Sequence, residues 1–210
     1  MFFDLDDTLY PNTSGVWQAI GMRMDDYIVE NLNIPPQNVK TLRESLFKEY
    51  GTTLRGLCSL YGINARHFLD YVHDIPLHQY LRADTALVDA MTHCPGRKII
   101  FTNANQAHAE RVISILGLQG VFSDIIDILQ ISPYCKPLPE AYEKAIKISG
   151  ISDPGKCVMI DDSSRNLKTA SEMGFFTIQV GTQTRSPFSD ATILSLADLP
   201  DVIPVETQPE

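Results

Sequence analysis

The sequence predicts an α/β protein, a parallel sheet with helices on both faces, interrupted near its start by a small helical bundle. Two patterns carry the prediction. From about Ala83 onward, short apolar runs alternate with amphipathic helical stretches, the signature of βαβ units around a buried parallel sheet. From about Gly15 to Asp74 the periodicity is helical throughout. A third observation concerns placement: acidic, hydroxyl and basic residues follow the apolar runs, where an open α/β sheet gathers its ligands.

The elements follow in order. The first apolar run holds only Met1, Phe2 and Phe3 before Asp4, whereas a parallel strand usually has ~5–6 residues. This strand is therefore either cut short or unusually small. In the bundle, Val16, Ile20, Met24, Tyr27 and Ile28 recur at three- and four-residue spacing, one face of a helix. Val39, Leu42, Leu46, Phe47 and Tyr50 repeat the pattern after Pro35 and Pro36. Leu54, Leu57 and Leu60 form a third stripe, stopped by Gly62, and Phe68, Leu69 and Val72 a fourth, before Pro76. A helix from Asp84 to Met91 leads to the strand Lys98 to Phe101, and a helix from Gln106 to Leu116 stops at Gly117, the place of a C′ glycine. Ile125 to Leu129 reads as a strand, Pro139 to Ser149 as a helix, Cys157 to Ile160 as a strand, Ser164 to Met173 as a helix and Phe176 to Val180 as a strand. The end, from Glu206 to Glu210, is expected to fray.

Composition narrows the function. With 210 residues, 44% hydrophobic and 20% charged, the chain is of ordinary globular type and long enough for a sizeable core. The net charge is 17 − 26 = −9 with no basic run, which argues against a nucleic-acid polymer as partner. No stretch has the ~18 apolar residues of a membrane span. The opening MFFDLDDTLYP has no basic leader, so the chain is expected in the cytoplasm or the nucleus. Cys58, Cys94, Cys135 and Cys157 form no CxxC pair and are expected to be reduced thiols rather than zinc ligands. The oligomeric state is left open.

Four groups carry chemistry. Asp4 and Asp6, two apart at the end of the first run, can divide nucleophile and acid–base roles and attract Mg²⁺, or form a turn cluster with Asp7 and Thr8. Thr102 and Asn103 end the run KIIFTN, placed to hold a phosphate or to cap a helix. Lys136 could neutralise a nucleophile and a phosphate, or lie at the surface. Asp161 and Asp162 end the run CVMI, and two adjacent acids there call for a cation or a helix N-terminus. Together the four suit phosphoryl transfer, which needs mostly positioning and charge neutralisation.

FFDLDDTLY, IIFTN, CKP and VMIDDSSRN resemble the four motifs of the haloacid dehalogenase-like (HAD) superfamily over nearly the whole chain. The resemblance implies a Rossmann-like parallel sheet core, residues 1–11 and 83–205, with an inserted α-helical C1-type cap, residues 12–82. DLDDTLYP, YGTTLRGL and FTNANQAHAERVISILGL further resemble the eukaryotic pyrimidine 5′-nucleotidase branch. The resemblance assigns Asp4 as nucleophile and Asp6 as general acid, then base, with its backbone carbonyl on Mg²⁺. It assigns Thr102 and the Asn103 amide to the transferring phosphoryl group, and Lys136 to charge balance. Asp162 is implied as a direct metal ligand, Asp161 as a second or outer-shell one. Asn166 stands where that motif's last acid belongs, and Ser163 helps orient the loop. Acidic neighbours and partial burial are expected to raise the pKa of Asp6.

The implied activity is a Mg²⁺-dependent phosphomonoesterase acting on a small phosphomonoester, with UMP and CMP the first expectation. A sugar-phosphate or phosphoglycolate phosphatase and a catalytically silent scaffold are the alternatives. Asp6 argues against C–halogen hydrolysis, which needs no acid there, and a mutase is weighed below hydrolysis. Tyr10, Tyr50, Thr52, Thr53 and Arg55 are candidates to read the substrate, with Asn12 nearby. His108 and Arg111 are expected to be solvated or to serve packing.

Overall fold

The computed structural model describes residues 1–203, so the expected fraying from Glu206 falls outside the described residues. Six parallel strands form one sheet in the order β3-β2-β1-β4-β5-β6. They are β1 (Phe2–Phe3), β2 (Ile99–Phe101), β3 (Asp124–Ile126), β4 (Val158–Asp161), β5 (Phe176–Val180) and β6 (Ala191–Ile193). The chain builds outward from β1 to β3, then returns to the other side of β1 and builds outward again through β4, β5 and β6. The reversal leaves a crevice between the carboxyl ends of β1 and β4, the place where such sheets bind ligands.

The short first run proves to be a two-residue strand, yet it lies at the centre. Phe2 and Phe3 pair with Ile99 and Ile100 on one side and with Met159 and Ile160 on the other. The ladder continues past its ends: the Ile99 amide donates to the Met1 carbonyl at 3.0 Å, and the Asp4 amide to the Ile160 carbonyl at 2.9 Å. Strand alternation sends the two phenylalanines to opposite faces. Phe2 packs with Phe101 and Phe175, and Phe3 meets Phe122 edge-on at 5.6 Å.

Two strands differ from expectation. The third strand ends at Ile126 rather than Leu129. The Asp127 carboxylate accepts from the amides of Gln106 and Gln130, which draws the chain into turns after Ile126. The sixth strand, Ala191–Ile193, was not foreseen. It pairs with Ile178 to Val180.

Helices α5 (Thr85–His93), α6 (Gln106–Leu116), α7 (Pro139–Ser149) and α8 (Ser164–Glu172) flank the sheet. The helical cap comprises α1 (Val16–Leu32), α2 (Pro36–Tyr50), α3 (Thr53–Tyr61) and α4 (Ala65–His73). Side-chain oxygens of Thr52, Asn64, Asp84 and Asn105 accept from amides in the first turns of α3, α4, α5 and α6. Among the described residues, no helix is long and apolar enough to cross a membrane.

Candidate active site

The site begins where β1 ends. Asp4 leaves the strand buried, and Leu5 is wholly buried beneath it. Asp7 takes a left-handed conformation (φ 61°), which turns the chain after Asp6. At the end of β4, Asp161 is fully buried beside Asp4.

Lys136 joins the two strand ends. Its ammonium lies 2.8 Å from Asp4 Oδ1 and 2.9 Å from Asp161 Oδ2, and the side chain is 1% exposed. Burial by itself lowers its pKa, but Asp161 and Asp4 outweigh it and hold the ammonium above its ordinary value. Asn103 fixes the lysine's backbone at both polar atoms. Its Nδ2 donates to the Lys136 carbonyl at 3.0 Å, and its Oδ1 accepts from the Lys136 amide at 2.9 Å. Beside it, the buried Thr102 hydroxyl accepts from the Ala104 amide. The sequence placed Asn103 near a phosphate, but its clamp on Lys136 joins loops 33 residues apart and has no local signature.

The carboxylates divide into committed and free groups. Carboxylate oxygens of Asp4, Asp161 and Asp162 lie within 4.8 Å of one another. Asp161 is already engaged at both oxygens, by Lys136, the Ser163 amide and Asn166 Nδ2. Asn166 therefore satisfies the buried acid in place of adding another. Among the described residues, the Asp162 carboxylate accepts from side chains only a long 3.3 Å bond, from the Thr8 hydroxyl, and the Asp162 amide donates back to that oxygen at 3.1 Å. Burial, then Asp161 and Asp7, push the Asp162 carboxyl up to about 7. Burial likewise raises Asp4 well above the usual carboxylate range, against the pull of Lys136. Hard oxygen donors in a crowded, underneutralised cluster are a donor set that fits a divalent cation such as Mg²⁺. The Asp6 carboxylate is not part of that cluster.

Asp6 corrects one expectation. Burial does raise its pKa, but His108 and Tyr10 overcome that and bring it down to about 2. His108 Nε2 stands 2.8 Å from Asp6 Oδ1, and the Tyr10 hydroxyl donates to the same oxygen. His108 is therefore neither solvated nor mere packing: it is 1% exposed and touches the site. Arg111, one turn on, donates to the carbonyls of His73 and Ile75, tying the end of the cap to α6.

A cavity of 690 Å³ spreads from this cluster beneath the cap. Its floor includes Asp4, Asp6, Thr102, Asn103, Lys136 and Asp162. Its roof carries the apolar Trp17, Met24, Phe47, Phe68, Leu69 and Val72 beside the charged Asp25, Lys40, Arg43 and Glu44. Arg43 and Arg165 stand among its charged residues, the latter stacked 4.6 Å over the Phe47 ring. Thr52 and Thr53 line it as well, whereas Tyr50 and Arg55 are not among its walls. The Arg55 guanidinium is spent on the carbonyls of Pro133 and Tyr50, and Tyr10 is occupied by Asp6.

Comparison with known proteins fits this arrangement. The haloacid dehalogenase-like hydrolase family model matches residues 1–174, and the chain belongs to that family. Phosphate metabolism protein 8 of Saccharomyces cerevisiae is 29% identical over 187 residues, covering 82% of this chain. The chain spans 58% of that relative's length. Among solved structures, a HAD phosphatase from Thermococcus onnurineus superposes with a TM-score of 0.64 at 16% identity, covering 96% of this chain and 95% of that one. YfnB of Bacillus subtilis, a HAD-hydrolase bound to magnesium, gives 0.63 at 18%, covering 97% of each chain. L-2-haloacid dehalogenase of Xanthobacter autotrophicus gives 0.58 at 16%, covering 95% of this chain and 96% of that one. These likenesses show the shared fold. The chain is thus a member of the haloacid dehalogenase-like hydrolase family, and its Asp4, Asp161 and Asp162 carboxylates form a donor set that fits a divalent cation.

Proposed function

We propose that the protein is a phosphomonoesterase working through an aspartyl phosphate, with pyrimidine nucleoside 5′-monophosphates such as UMP and CMP as substrates. Residues 12–82 serve as its cap, over a core of 1–11 and 83–205, of which 204 and 205 lie outside the described residues. The observation that carries the reading is Asp4 at the mouth of the crevice, paired with buried Lys136 and roofed by a partly aromatic cavity. The volume suits a small ligand. The Trp17, Phe47 and Phe68 rings in the roof offer flat apolar faces that favour a base over the polar bodies of a sugar phosphate or phosphoglycolate. The yeast relative is named for phosphate metabolism, which favours phosphate esters over carbon–halogen bonds.

In the proposed first step, an Asp4 oxygen bonds to phosphorus as the ester P–O bond breaks. The electron pair goes to the leaving oxygen, which takes a proton from Asp6. In the second step, water adds to phosphorus and gives a proton to Asp6, while the Asp4–phosphorus bond breaks and its electron pair returns to the carboxylate. Asp6 is ionised in the free site, the form needed for the second step. A phosphate dianion arriving beside it favours the protonated form needed for the first. Asp4, Asp162 and the Asp6 carbonyl would hold Mg²⁺, with Asp161 behind them. The cation would offset the negative charge of carboxylates and phosphate.

The test is Mg²⁺-dependent phosphate release from UMP, CMP, AMP, GMP, phosphoglycolate and several sugar phosphates, with Asp4→Asn as blank. Preference for UMP and CMP is expected. Activity confined to the small metabolites would discard the nucleotidase reading. Turnover retained in Asp4→Asn would remove the covalent mechanism, and silence of the folded protein would favour a scaffold.

A further inference from the structure

Asp6 is held by a construction larger than its role as a single acid requires. Both of its protein donors, His108 Nε2 and the Tyr10 hydroxyl, converge on Oδ1. Among the described residues no side chain donates to Oδ2, while Asp6 itself lines the cavity. Two donors on one oxygen fix the carboxyl's rotation and leave the other oxygen available to substrate.

The histidine is itself held. It sits one turn into α6, where its amide donates to Asn105 Oδ1 at 3.1 Å. The ring of His73, last residue of cap helix α4, stacks on it at 4.2 Å with an interplanar angle of 16°. His73 is tied in turn through Nδ1 to Asn105 Oδ1 at 3.1 Å, and Asn105 Nδ2 donates to Asp70 Oδ1 at 3.1 Å. Among the described residues, His108 Nδ1 is buried without a partner. A buried imidazole with an unsatisfied nitrogen costs free energy, and its other ring nitrogen is the one that meets Asp6.

We infer that His108 and Tyr10 are positioning residues that aim Asp6 Oδ2 at the leaving-group oxygen, with His73 of the cap setting the plane of the His108 ring. The inference rests on the acid–base role proposed above for Asp6. It predicts a dependence on leaving group, because an alkoxide needs a proton in order to depart and a nitrophenolate hardly does.

The experiment compares kcat/KM for p-nitrophenyl phosphate and for the best alkyl phosphate of the substrate panel. Variants are Asp6→Asn, His108→Phe, His108→Gln and Tyr10→Phe, each checked for folding by circular dichroism. Because kcat/KM reports steps up to the first phosphoryl transfer, it isolates the acid role. His108→Phe is expected to lose about 100-fold or more on the alkyl ester and under about tenfold on the aryl ester. His108→Gln, which keeps a donor, should recover much of the alkyl activity. Tyr10→Phe should show the same selectivity with a smaller loss, and it carries the test alone if His108→Phe does not fold. Equal losses on both esters, or none, would overturn the positioning role provided Asp6→Asn is selective. A non-selective Asp6→Asn would instead overturn the acid–base reading itself.

Discussion

Replacing Lys136 by Met removes one ammonium and keeps a similar unbranched stem. Its Nζ is the shared partner of Asp4 and Asp161, within 2.8 and 2.9 Å. Lys136 and Asp161 are fully buried and Asp4 keeps only a narrow opening to the cavity, so water replaces the lost partner only in part. Removing one member of a buried ion pair costs about 3–5 kcal/mol. Asn103 still clamps the backbone at position 136, so the loss is electrostatic rather than a loop rearrangement. For a chain of this length that corresponds to a fall in Tm of roughly 6–20 °C.

Urea denaturation in EDTA at pH 7.5 measures it, and pH supplies the check. Asp4 already has a raised pKa in the folded state, and loss of Lys136 raises it further. The folded variant then binds more protons than the unfolded chain, so its stability must rise as pH falls. The gap to wild type should therefore narrow by pH 5.5. Adding Asp161→Asn to Lys136→Met removes one stranded carboxylate and should recover a good part of the loss. A cost below about 1 kcal/mol, or one indifferent to pH and to the second substitution, would refute the view that Lys136 holds the two strand ends together by charge.

Two further predictions concern the cap. Burial drives the His73 pKa down to about 3 from 6.5, so between those values the unfolded chain holds the extra proton and stability falls as pH falls. His73→Gln should make denaturant-derived stability less steep below pH 6.5, by up to about 1.4 kcal/mol per pH unit; parallel curves would contradict this. Gly51, between α2 and α3, has φ +87°, and an added Cβ would lie 3.1 Å from Cys135 Sγ. Gly51→Ala should lower stability by about 1–3 kcal/mol, read as a drop in Tm, and unchanged melting would show that the loop bearing Lys136 yields easily.

The sheet and cap were legible because apolar runs and helical stripes are local patterns. So were the ends of the runs, where Asp4, Thr102 and Asp161 stand. What escaped was nonlocal. His108 lies 102 residues from Asp6, and a lone histidine on a helix gives no sign of what it will touch. The expected rise in the Asp6 pKa rests on acidic neighbours and partial burial; burial does raise it, and the two donors that reverse the sum are not visible in that reading. Tyr10 was seen but given to the substrate, because four residues of separation do not reveal that the turn at Asp7 folds its hydroxyl back. Strand β6 is three residues long, too short to display a period.

The position of β1 has a consequence for how the molecule is made. Phe2 pairs with Ile99 and Met159, contacts that close 97 and 157 residues of chain. The cap helices, by contrast, pack on one another over shorter spans: even α1 and α4 meet at Tyr27 and His67, 40 residues apart. Contacts this distant form slowly because so much chain must first be confined. On the ribosome β1 emerges ahead of both its neighbours, and the second arrives only with β4. The aspartates of the first motif are thus made before the rest of the site and find their final positions only when the core closes around them.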